Sequence, residues 1–302
     1  MPELPEVETV RRSLEPLIVG RRIAGIRGGT FPDIMGPDGL QRSDRLIGRQ
    51  IVGLDRRGKY LIADLDDGSV LLVHLRMTGQ LVIADPAEPP LRFQHLALAL
   101  ARSSDQSSHG QRTTIELRFA DQRKFGRVLH IDAPSVPGLF RHLGPEPLAP
   151  DFTAVTLSDA VRGRRAPIKN VLLDQRRIAG LGNIYVDEAL FRAGIHPLRP
   201  AGLLTSNDVA KLHEAIQTVL IEALDRRGTT FSSFLDGYGR RGENGSNLRV
   251  YGQGRMKAPC PTCGTPLESL RLGGRSSSYC PICQPISPPM IGQAGKRDEP
   301  VQ

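Results

Sequence analysis

The first residues of the chain carry groups that could perform covalent chemistry. The sequence begins Met-Pro-Glu-Leu-Pro-Glu, so removal of Met1 would leave Pro2 as the N-terminal residue. A free α-amine has a pKa of about 7.7–8.0, well below that of lysine, so much more of it is an unprotonated nucleophile at neutral pH. The secondary amine of proline would form a cationic iminium ion with an aldehyde carbon, and Glu3 could exchange the protons that such a reaction needs.

A second interpretation of the same stretch is structural. Val7, Val10, Leu14 and Leu17 recur at helical spacing, which predicts an amphipathic helix with Pro5 in its first turn. The proline-rich start would then only cap the helix. In either case the helix holds against a folded body a terminus that would otherwise fray, and these ten residues leave both interpretations open.

The four cysteines of the chain form two pairs with the spacing of a zinc site. Cys260 and Cys263 make one CxxC pair, Cys280 and Cys283 make the other, and sixteen residues separate the pairs. Four thiolates complete a tetrahedral site and leave no position for a reactive water, so the pattern predicts one structural zinc ion and disfavours a catalytic one. We expect this segment to fold only with the metal.

Predicted strands and predicted helices must position the N-terminal residues and the cysteines. Residues 50–131 alternate with period two in seven segments, which predicts an antiparallel sandwich or barrel. The segments are Gln50–Asp55, Tyr60–Leu65, Val70–Leu75, Gln80–Ala84, His95–Ala101, Thr114–Phe119 and Arg127–Ile131. Four later segments have the 3.6-residue period of helices. They are Leu157–Arg162, Ile168–Asp174, Asn183–Ala193 and Asp208–Arg226, the last with Asn207 as its expected cap.

Composition narrows the class of protein. The 302 residues are enough for about two domains, and the net charge of +8 favours a polyanionic partner, nucleic acid before membrane. No apolar run approaches the roughly 20 residues of a membrane span, and the acidic N-terminus lacks the apolar core of a signal peptide. We therefore expect an intracellular protein whose cysteines are not disulfides.

Several stretches together resemble the bacterial formamidopyrimidine-DNA glycosylase family (8-oxoguanine DNA glycosylase and AP lyase). They keep their order along the chain: PELPEVETVRR (2–12), RRGKYL (56–61), HLRMTG (74–79), DQRKFGR (121–127), LGPEPL (143–148), IAGLGNIYVDEALFRAGIHP (178–197), VYG (250–252) and the cysteines. The resemblance implies an α+β multidomain fold. Its parts are an N-terminal helix with an antiparallel β-sandwich (1–133), a helix–two-turn–helix domain with a lesion-covering loop (151–248) and a zinc finger (249–284). Composition, rather than the resemblance, predicts a linker rich in proline and glycine (134–150) and a disordered tail (285–302).

The resemblance also implies an activity. Such an enzyme removes oxidised purines, notably 8-oxoguanine and formamidopyrimidines, from duplex DNA and then cuts the backbone. Pro2 would attack C1′ and form the iminium ion, and Glu3 would assist opening of the sugar. The iminium acidifies the C2′ protons, so the 3′-phosphate and then the 5′-phosphate leave by β,δ-elimination. Lys59 would transfer protons in the elimination, and Arg275 would clamp the phosphates around the lesion.

The resemblance implies DNA contacts at six more positions. They are Met77, His95, Arg123, Phe125, Arg164 and Asn183. Met77 and Phe125 would fill the gap that the flipped base leaves, and Arg123 would bond the orphaned base opposite, which favours cytosine. His95 is expected to replace a family histidine that contacts phosphate and whose position holds Phe93.

Some positions are open to other interpretations. Glu6 and Glu188 match family carboxylates near the reactive amine. Without the resemblance, Met77 and Phe125 would be interpreted as core residues, and Lys59 and Arg164 as solvated charges. Lys124 stands where the family often has arginine, which changes a bidentate backbone contact into a point-like one.

Two alternative functions and several general expectations complete this interpretation. One alternative is an endonuclease-VIII-like glycosylase for oxidised pyrimidines, and the other is a non-enzymatic damaged-DNA-binding protein.

The expected partner is duplex DNA that contains oxidised bases or abasic sites, without a membrane partner. We expect a monomer in the bacterial cytoplasm, associated with the nucleoid through DNA binding. Loop Phe234–Asn247 is expected to be mobile, and segment Ser103–Gln111 and tail Gln284–Gln302 have no assigned role.

Overall fold

The computed structural model describes residues 2–29, 31–37, 39, 43–102 and 114–286. Helix α1 (Leu4–Ile18) begins with a reciprocal capping box, in which the Glu3 side chain accepts from the Glu6 backbone and Glu6 Oε2 accepts from Glu3 N–H at 2.8 Å. The proline-rich start therefore does cap a helix. This capping also fixes Pro2, which is buried, against the body of the protein.

Two four-stranded antiparallel sheets follow the helix. The strands are β1 (Arg21–Gly28), β2 (Ile51–Arg57), β3 (Tyr60–Leu65), β4 (Val70–His74), β5 (Gly79–Ala84), β6 (Gln94–Arg102), β7 (Ile115–Asp121) and β8 (Arg127–Ile131). One sheet has the order β1-β6-β7-β5 and the other β2-β3-β4-β8. The predicted strands are all present, and β1 is an additional strand that the sequence patterns did not predict.

Helix α1 and the two sheets share one apolar core. Val7, Val10 and Leu14 of the helix are fully buried, together with Leu61 and Phe119 from the two sheets. Full burial of such a side chain contributes about 1.5–3 kcal/mol. Burial of this helical stripe therefore anchors the chain terminus firmly enough to serve a reactive site.

Four helices form the second body, around a separate core. They are α2 (Ala154–Val161), α3 (Ile168–Leu173), α4 (Asn183–Ala193) and α5 (Ser206–Asp225). The expected cap at Asn207 is wrong: Thr205 is the N-cap of α5, where its Oγ1 accepts from Asp208 N–H at 3.2 Å and Asp208 Oδ2 accepts from Thr205 N–H at 2.8 Å. The capping box displaces Asn207 into the first helical turn.

The segment between the two bodies is packed rather than extended. It contains a short 3₁₀ turn (Ala133–Gly138), and its Glu146 accepts from Arg56 Nη1 at 2.7 Å and from Arg57 Nη1 at 2.9 Å. Gly144 N–H donates to Gln175 O at 2.8 Å on the helical side. The segment thus contacts both bodies, while the domain boundaries themselves stay a prediction.

The cysteine pairs flank a two-stranded hairpin. Strands β9 (Glu268–Leu272) and β10 (Arg275–Tyr279) pair antiparallel, over a small core that includes Val250 and Leu267. The expected tail begins too early at Gln284, because this side chain is buried and donates to Ile195 O at 2.8 Å. Residues 287–302 and the segment Ser103–Gln111 lie outside the described residues.

The glycine-rich loop after α5, which was expected to be mobile, is anchored at Phe234 and Gly237. Phe234 inserts into the core of the β-sandwich. Gly237 O accepts from Ile83 N–H on the edge strand β5 at 2.9 Å, and Gly237 N–H donates to Ser13 Oγ at 2.8 Å. The middle of the loop therefore ties the helical body to the sandwich. In the described part of the chain, no helix is both long enough and apolar enough to cross a membrane.

Candidate active site and nucleic-acid interface

The Glu3 carboxylate lies at the N-terminus of helix α4, where backbone N–H groups have no partner within the helix. Its Oε1 accepts from Ile184 N–H at 2.9 Å and its Oε2 from Tyr185 N–H at 3.4 Å. The approach requires glycine at position 182, because a Cβ there would lie 2.3 Å from Glu3 Cδ. Burial raises the pKa of Glu3 to about 7, against the lowering effect of the Lys59 charge. Glu3 can therefore hold or release a proton near neutral pH.

Glu6 connects three elements at the same place. Its Oε1 accepts from Tyr185 Oη at 2.5 Å and from Thr229 N–H at 2.8 Å, while Oε2 holds Glu3 N–H. Burial raises the pKa of Glu6. The side chain is enclosed, so Glu6 positions α1 against α4 and the start of the glycine-rich loop, and its role beside the reactive amine stays a prediction.

Lys59 reaches this site from the turn between β2 and β3. It is buried, and burial lowers its pKa, while the charges of Glu3 and Glu6 oppose that shift. The charge of Arg275 from the zinc-binding hairpin also lowers the Lys59 pKa, so that arginine is near enough to act on the same site. The structure thus brings Pro2, Glu3, Lys59 and Arg275 together from three separate parts of the chain.

His74 is a residue of this region that the sequence did not single out. It pairs with Tyr60 across β3 and β4, directly beside Lys59, and its Nδ1 accepts from Arg76 N–H at 2.9 Å. Burial, with the charges of Arg76 and Lys59, lowers the His74 pKa to about 3. The imidazole is therefore neutral. His74 lies at the end of β4, directly before the loop that carries Met77.

The hairpin that carries Arg275 is attached to the helical body by buried polar contacts. Lys169 Nζ donates to Asp187 Oδ1 at 2.6 Å and to Ser276 O at 3.0 Å. Asn183 Nδ2 donates to the same Ser276 oxygen at 2.9 Å, and the Asn183 Oδ1 atom is buried without a partner in the described structure. Asn183 therefore retains an unused acceptor, and the Lys169–Asp187 ion pair was missed because it consists of ordinary helix-face residues.

The four cysteines have the geometry of a tetrahedral zinc site. Their sulfur atoms all lie within 4.8 Å of one another, with Cys260 and Cys283 Sγ 3.8 Å apart and Cys263 and Cys280 Sγ 3.5 Å apart. Zn–S bonds of about 2.3 Å put the sulfurs of a tetrahedron about 3.8 Å apart, whereas a disulfide needs about 2.05 Å. The residues fit one structural zinc ion.

Two loops at one end of the sheet carry Met77 on one side and Arg123 and Phe125 on the other. Met77 and Phe125 are exposed, so the alternative interpretation of both as core residues is wrong. Arg123 Nη1 lies 2.9 Å from Met77 Sδ, and its guanidinium lies 4.9 Å from the centre of the Phe125 ring. The three predicted side chains therefore form one surface cluster.

Asp121 organises both loops. Its Oδ1 accepts from Thr78 Oγ1 and from Arg123 N–H, and its Oδ2 accepts from Gly126 N–H at 2.7 Å. A single buried carboxylate thus fixes the loop before β5 and the turn after β7. The sequence patterns gave no signal that the Asp121 side chain spans two loops.

The expectation that His95 contacts phosphate is wrong for this structure. Its side chain is 1 % exposed, its Nε2 is 2.9 Å from Asp121 O, and its ring packs edge-on against Phe31 at 5.7 Å. Burial leaves the ring no surface for a phosphate. His95 instead holds the turn after β7.

The remaining predicted residues lie outside the immediate site. Arg164 is exposed in the turn between α2 and α3, and its predicted DNA contact stays a prediction. Glu188 accepts the backbone N–H groups of residues 249, 250 and 251 at 2.8–2.9 Å. Its carboxylate therefore fixes the entry to the zinc-binding segment, and its predicted place near the amine stays a prediction.

Comparisons with known proteins cover nearly all of the described chain. The sequence model of the Formamidopyrimidine-DNA glycosylase N-terminal domain matches residues 1–128, that of the Formamidopyrimidine-DNA glycosylase H2TH domain matches 143–234, and that of the zinc finger found in FPG and IleRS matches 258–286. A Formamidopyrimidine-DNA glycosylase of Chloroflexus aggregans is 45 % identical over 284 residues, which are 94 % of this chain and 98 % of the relative.

The chain belongs to the formamidopyrimidine-DNA glycosylase family.

Solved structures of the formamidopyrimidine-DNA glycosylase family have the same fold. The Lactococcus lactis enzyme non-covalently bound to DNA with an AP site superimposes with a TM-score of 0.81 at 36 % identity and covers 94 % of this chain and 100 % of its own. MutM in complex with carbocyclic 8-oxo-G DNA superimposes with a TM-score of 0.83 at 36 % identity and the same coverage. The predicted family and fold class are therefore confirmed.

Proposed function

We propose that this chain is a bifunctional base-excision repair enzyme. As a DNA glycosylase it removes oxidised purines from duplex DNA, and as an AP lyase it cuts the backbone through a Schiff base on Pro2. The observation that carries the proposal is the buried assembly of Pro2, Glu3 and Lys59 at the N-terminus of α4. A terminus held in this way, beside a carboxyl group whose pKa is near neutrality, is suited to iminium chemistry.

The first half of the reaction uses Pro2 and Glu3. Protonated Glu3 donates to the sugar ring oxygen while the bond from that oxygen to C1′ breaks, and the sugar ring opens. The Pro2 nitrogen, freed by removal of Met1, forms a bond to C1′ while the bond from C1′ to the damaged base breaks, the base leaves with the amine proton, and the Pro2 nitrogen becomes a cationic iminium. The raised pKa of Glu3 supports this role, since a carboxyl group must keep its proton to donate it.

The second half of the reaction is elimination. The iminium draws electron density, so loss of a C2′ proton expels the 3′-phosphate, and a second elimination expels the 5′-phosphate. Lys59 is suited to transfer these protons because burial lowers its pKa below the usual value for lysine, which makes the neutral amine more accessible. Arg275 supplies a fixed positive charge for the departing phosphates.

DNA binding would use the exposed side chains at the end of the sheet. Met77 and Phe125 fill the gap in the stack, and Arg123 bonds the base opposite. Asn183 would contact a phosphate by donating from its side-chain N–H group, and Arg164 would make a further phosphate contact. The zinc ion has a structural role, which is to fix the hairpin that carries Arg275. Because its substrate would be chromosomal DNA, the protein would act at the nucleoid in the bacterial cytoplasm.

The oxidised-pyrimidine alternative has less support than the purine function. The family relationship favours oxidised purines. The non-enzymatic alternative would leave the assembly of Pro2, Glu3 and Lys59 without a role. We keep both alternatives as outcomes of the experiment.

Borohydride trapping tests the mechanism directly. The purified chain is incubated with a duplex that contains one 8-oxoguanine opposite cytosine, then reduced, and the cross-linked residue is mapped by mass spectrometry. We expect an adduct on Pro2 and none with an undamaged duplex. An adduct only with an oxidised pyrimidine would favour the alternative enzyme, and tight binding without any adduct would favour the non-enzymatic protein.

A Pro2→Gly variant separates chemistry from binding. Glycine retains an N-terminal amine but lacks the ring that forms a tertiary iminium, so we expect lyase activity to fall far more than affinity for lesion DNA. Binding measured on a duplex with a non-cleavable abasic analogue serves as the reference. Equal losses of binding and cleavage would contradict the role of Pro2.

A further inference from the structure

Strand β10 begins with Arg275 and lies against helix α4. Ser277 Oγ donates to Asp187 Oδ1 at 2.8 Å, and Ser278 N–H donates to Asp187 Oδ2 at 3.1 Å. Asp187 and the two serines are each at most 3 % exposed. A single buried carboxylate thus holds two consecutive residues of the strand, just after the arginine that is expected to clamp the phosphates.

The strand geometry links this contact to the arginine side chain. Side chains two residues apart on a strand leave the same face of the sheet. Arg275 and Ser277 are related in this way, and they pair across the hairpin with Leu272 and Leu270. The hydrogen bond from Ser277 to Asp187 therefore fixes the face of the hairpin from which the Arg275 side chain projects.

The turn that precedes Arg275 is placed by helix α3. Gly273 has a positive φ of 55°, and a Cβ on it would lie 3.3 Å from Asn170 Oδ1 on that helix. Glycine therefore suits this position both by its backbone conformation and by its lack of a side chain. Arg275 is bounded on both sides, by α3 before it and by Asp187 after it.

Helix α4 also holds the other end of the proposed site. The N–H groups of Ile184 and Tyr185 in its first turn bind the Glu3 carboxylate. Asp187 follows within about one helical turn. The helix is therefore a common support that sets the position of Arg275 relative to Glu3, although the two residues lie far apart in the sequence.

The charge on Asp187 is not explained by packing alone. Lys169 Nζ donates to Asp187 Oδ1 at 2.6 Å and to Ser276 O at 3.0 Å, and Lys169 is fully buried. The desolvation of a buried ion pair offsets much of its attraction, so apolar side chains of similar size would often stabilise such a contact equally well. A carboxylate that must accept from a side chain and from the backbone of one strand instead specifies where that strand lies.

We propose that Asp187 is a positioning residue for strand cutting, which holds β10 so that the Arg275 guanidinium lies at the departing phosphates. The inference rests on the proposed function, which assigns Arg275 to the elimination and not to base release. Misplacement of a catalytic group by about 1 Å can lower a rate about a hundredfold. A weakened contact at Asp187 should therefore slow the elimination and leave formation of the Pro2 iminium unchanged.

Asp187→Asn keeps the size of the side chain and disturbs its contact with the strand. The amide oxygen must face the buried Lys169 cation, which turns the NH₂ group towards Ser278 N–H, donor against donor. Full-length proteins are compared in single turnovers on a duplex with one 8-oxoguanine opposite cytosine. We expect base release within about twofold of the wild type, strand cutting about tenfold slower, and accumulation of the borohydride-trapped Pro2 adduct.

Two further variants separate displacement of the hairpin from unfolding. Ser277→Ala removes only the hydroxyl contact with Asp187, so it should slow the same step by a smaller factor. Asp225→Asn is the matched control, because it makes the same change at an exposed residue at the end of α5, and it should match the wild type. Zinc content and the thermal midpoint are measured for each protein, and the rates are compared between zinc-bound samples.

A double-mutant cycle with Arg275 tests the route of the effect. Arg275→Ala removes the charge itself, so Asp187→Asn should slow strand cutting no further in that background. Losses that multiply would overturn the inference, as would wild-type strand cutting in Asp187→Asn, or equal losses of base release and strand cutting in zinc-bound Ser277→Ala. A wild type that forms no adduct would instead overturn the proposed function.

Discussion

Glu3 shows how burial sets the chemistry of a single residue. Its pKa is raised to about 7 by burial, so the carboxyl group is largely protonated below pH 7 and loses its proton as the pH rises through that value. If protonated Glu3 opens the sugar, the single-turnover rate of base excision should fall above about pH 7. The measurement is release of 8-oxoguanine from duplex DNA in rapid-quench experiments between pH 5.5 and 9.

Lys59 provides the matched variant for this pH dependence. The Lys59 charge lowers the Glu3 pKa, so Lys59→Met should raise it and move the descending limb of the excision rate to higher pH. Because Lys59 is assigned to the elimination, base release rather than strand cutting must be followed. A descending limb of the pH–rate profile that does not shift in the variant, or that is absent from the wild type, would count against Glu3 as the proton donor.

At the residue scale, sequence reasoning succeeded where chemistry depends on residue type and local order. Pro2, Glu3 and the four cysteines were identified because their types and spacing are informative by themselves. His95 was assigned to the surface wrongly, because a bulge at the start of β6 changes which way its side chain points. Asp121 and His74 were not identified as site residues, since their roles come from contacts across neighbouring strands.

At the scale of elements, one buried carboxylate links two loops that would otherwise be independent. Asp121→Asn keeps the size of the side chain but replaces one acceptor oxygen by an NH₂ donor. The amide therefore cannot accept hydrogen bonds from both the Thr78 hydroxyl and Gly126 N–H. We expect excision opposite cytosine to fall about tenfold or more through misplaced Met77 and Arg123. Discrimination between cytosine and adenine opposite the lesion should also fall.

A single-stranded abasic substrate is the control for Asp121→Asn. It has no stack to fill and no opposite base, so its cleavage should be close to the wild-type rate if the variant only misplaces the wedge residues. Thr78→Val removes one of the same hydrogen bonds and should show a smaller loss in the same direction. A comparable loss on duplex and single-stranded substrates would point to general unfolding instead.

Each helix or strand was predictable from the sequence to the extent that its own residues show a clear hydrophobic period. The strands from β2 to β8 and the helix Asn183–Ala193 follow clear periods, and the structure confirms them. The loop around Phe234 was misjudged because its glycines and polar residues conceal one aromatic residue that packs into a core formed by residues more than a hundred positions away. The residues that neighbour Phe234 in the sequence give no information about such a distant packing partner.

At the scale of the whole molecule, the site exists only where separate bodies meet. Glu3 and Glu6 from the N-terminal helix bind the backbone of α4 and Thr229, and Arg275 comes from the zinc-binding hairpin. Each body has its own apolar core, so the cores can form independently while the site depends on their contacts. Unfolding of the zinc-binding segment should therefore abolish function without unfolding the β-sandwich, whose core shares no residue with it.

Zinc removal tests this separation of folding from function. The zinc-binding segment has a core of few side chains, so we expect it to unfold when a chelator removes the metal, because binding energy there is folding energy. Arg275 would then lose its place beside Lys59, and affinity for lesion DNA should fall by at least a hundredfold. The β-sandwich should remain folded, as measured by amide hydrogen exchange in strands β2–β8, with the metal content determined in the same sample. Restoring zinc should restore affinity, whereas tight binding by demonstrably zinc-free protein would show that the hairpin does not supply an essential contact.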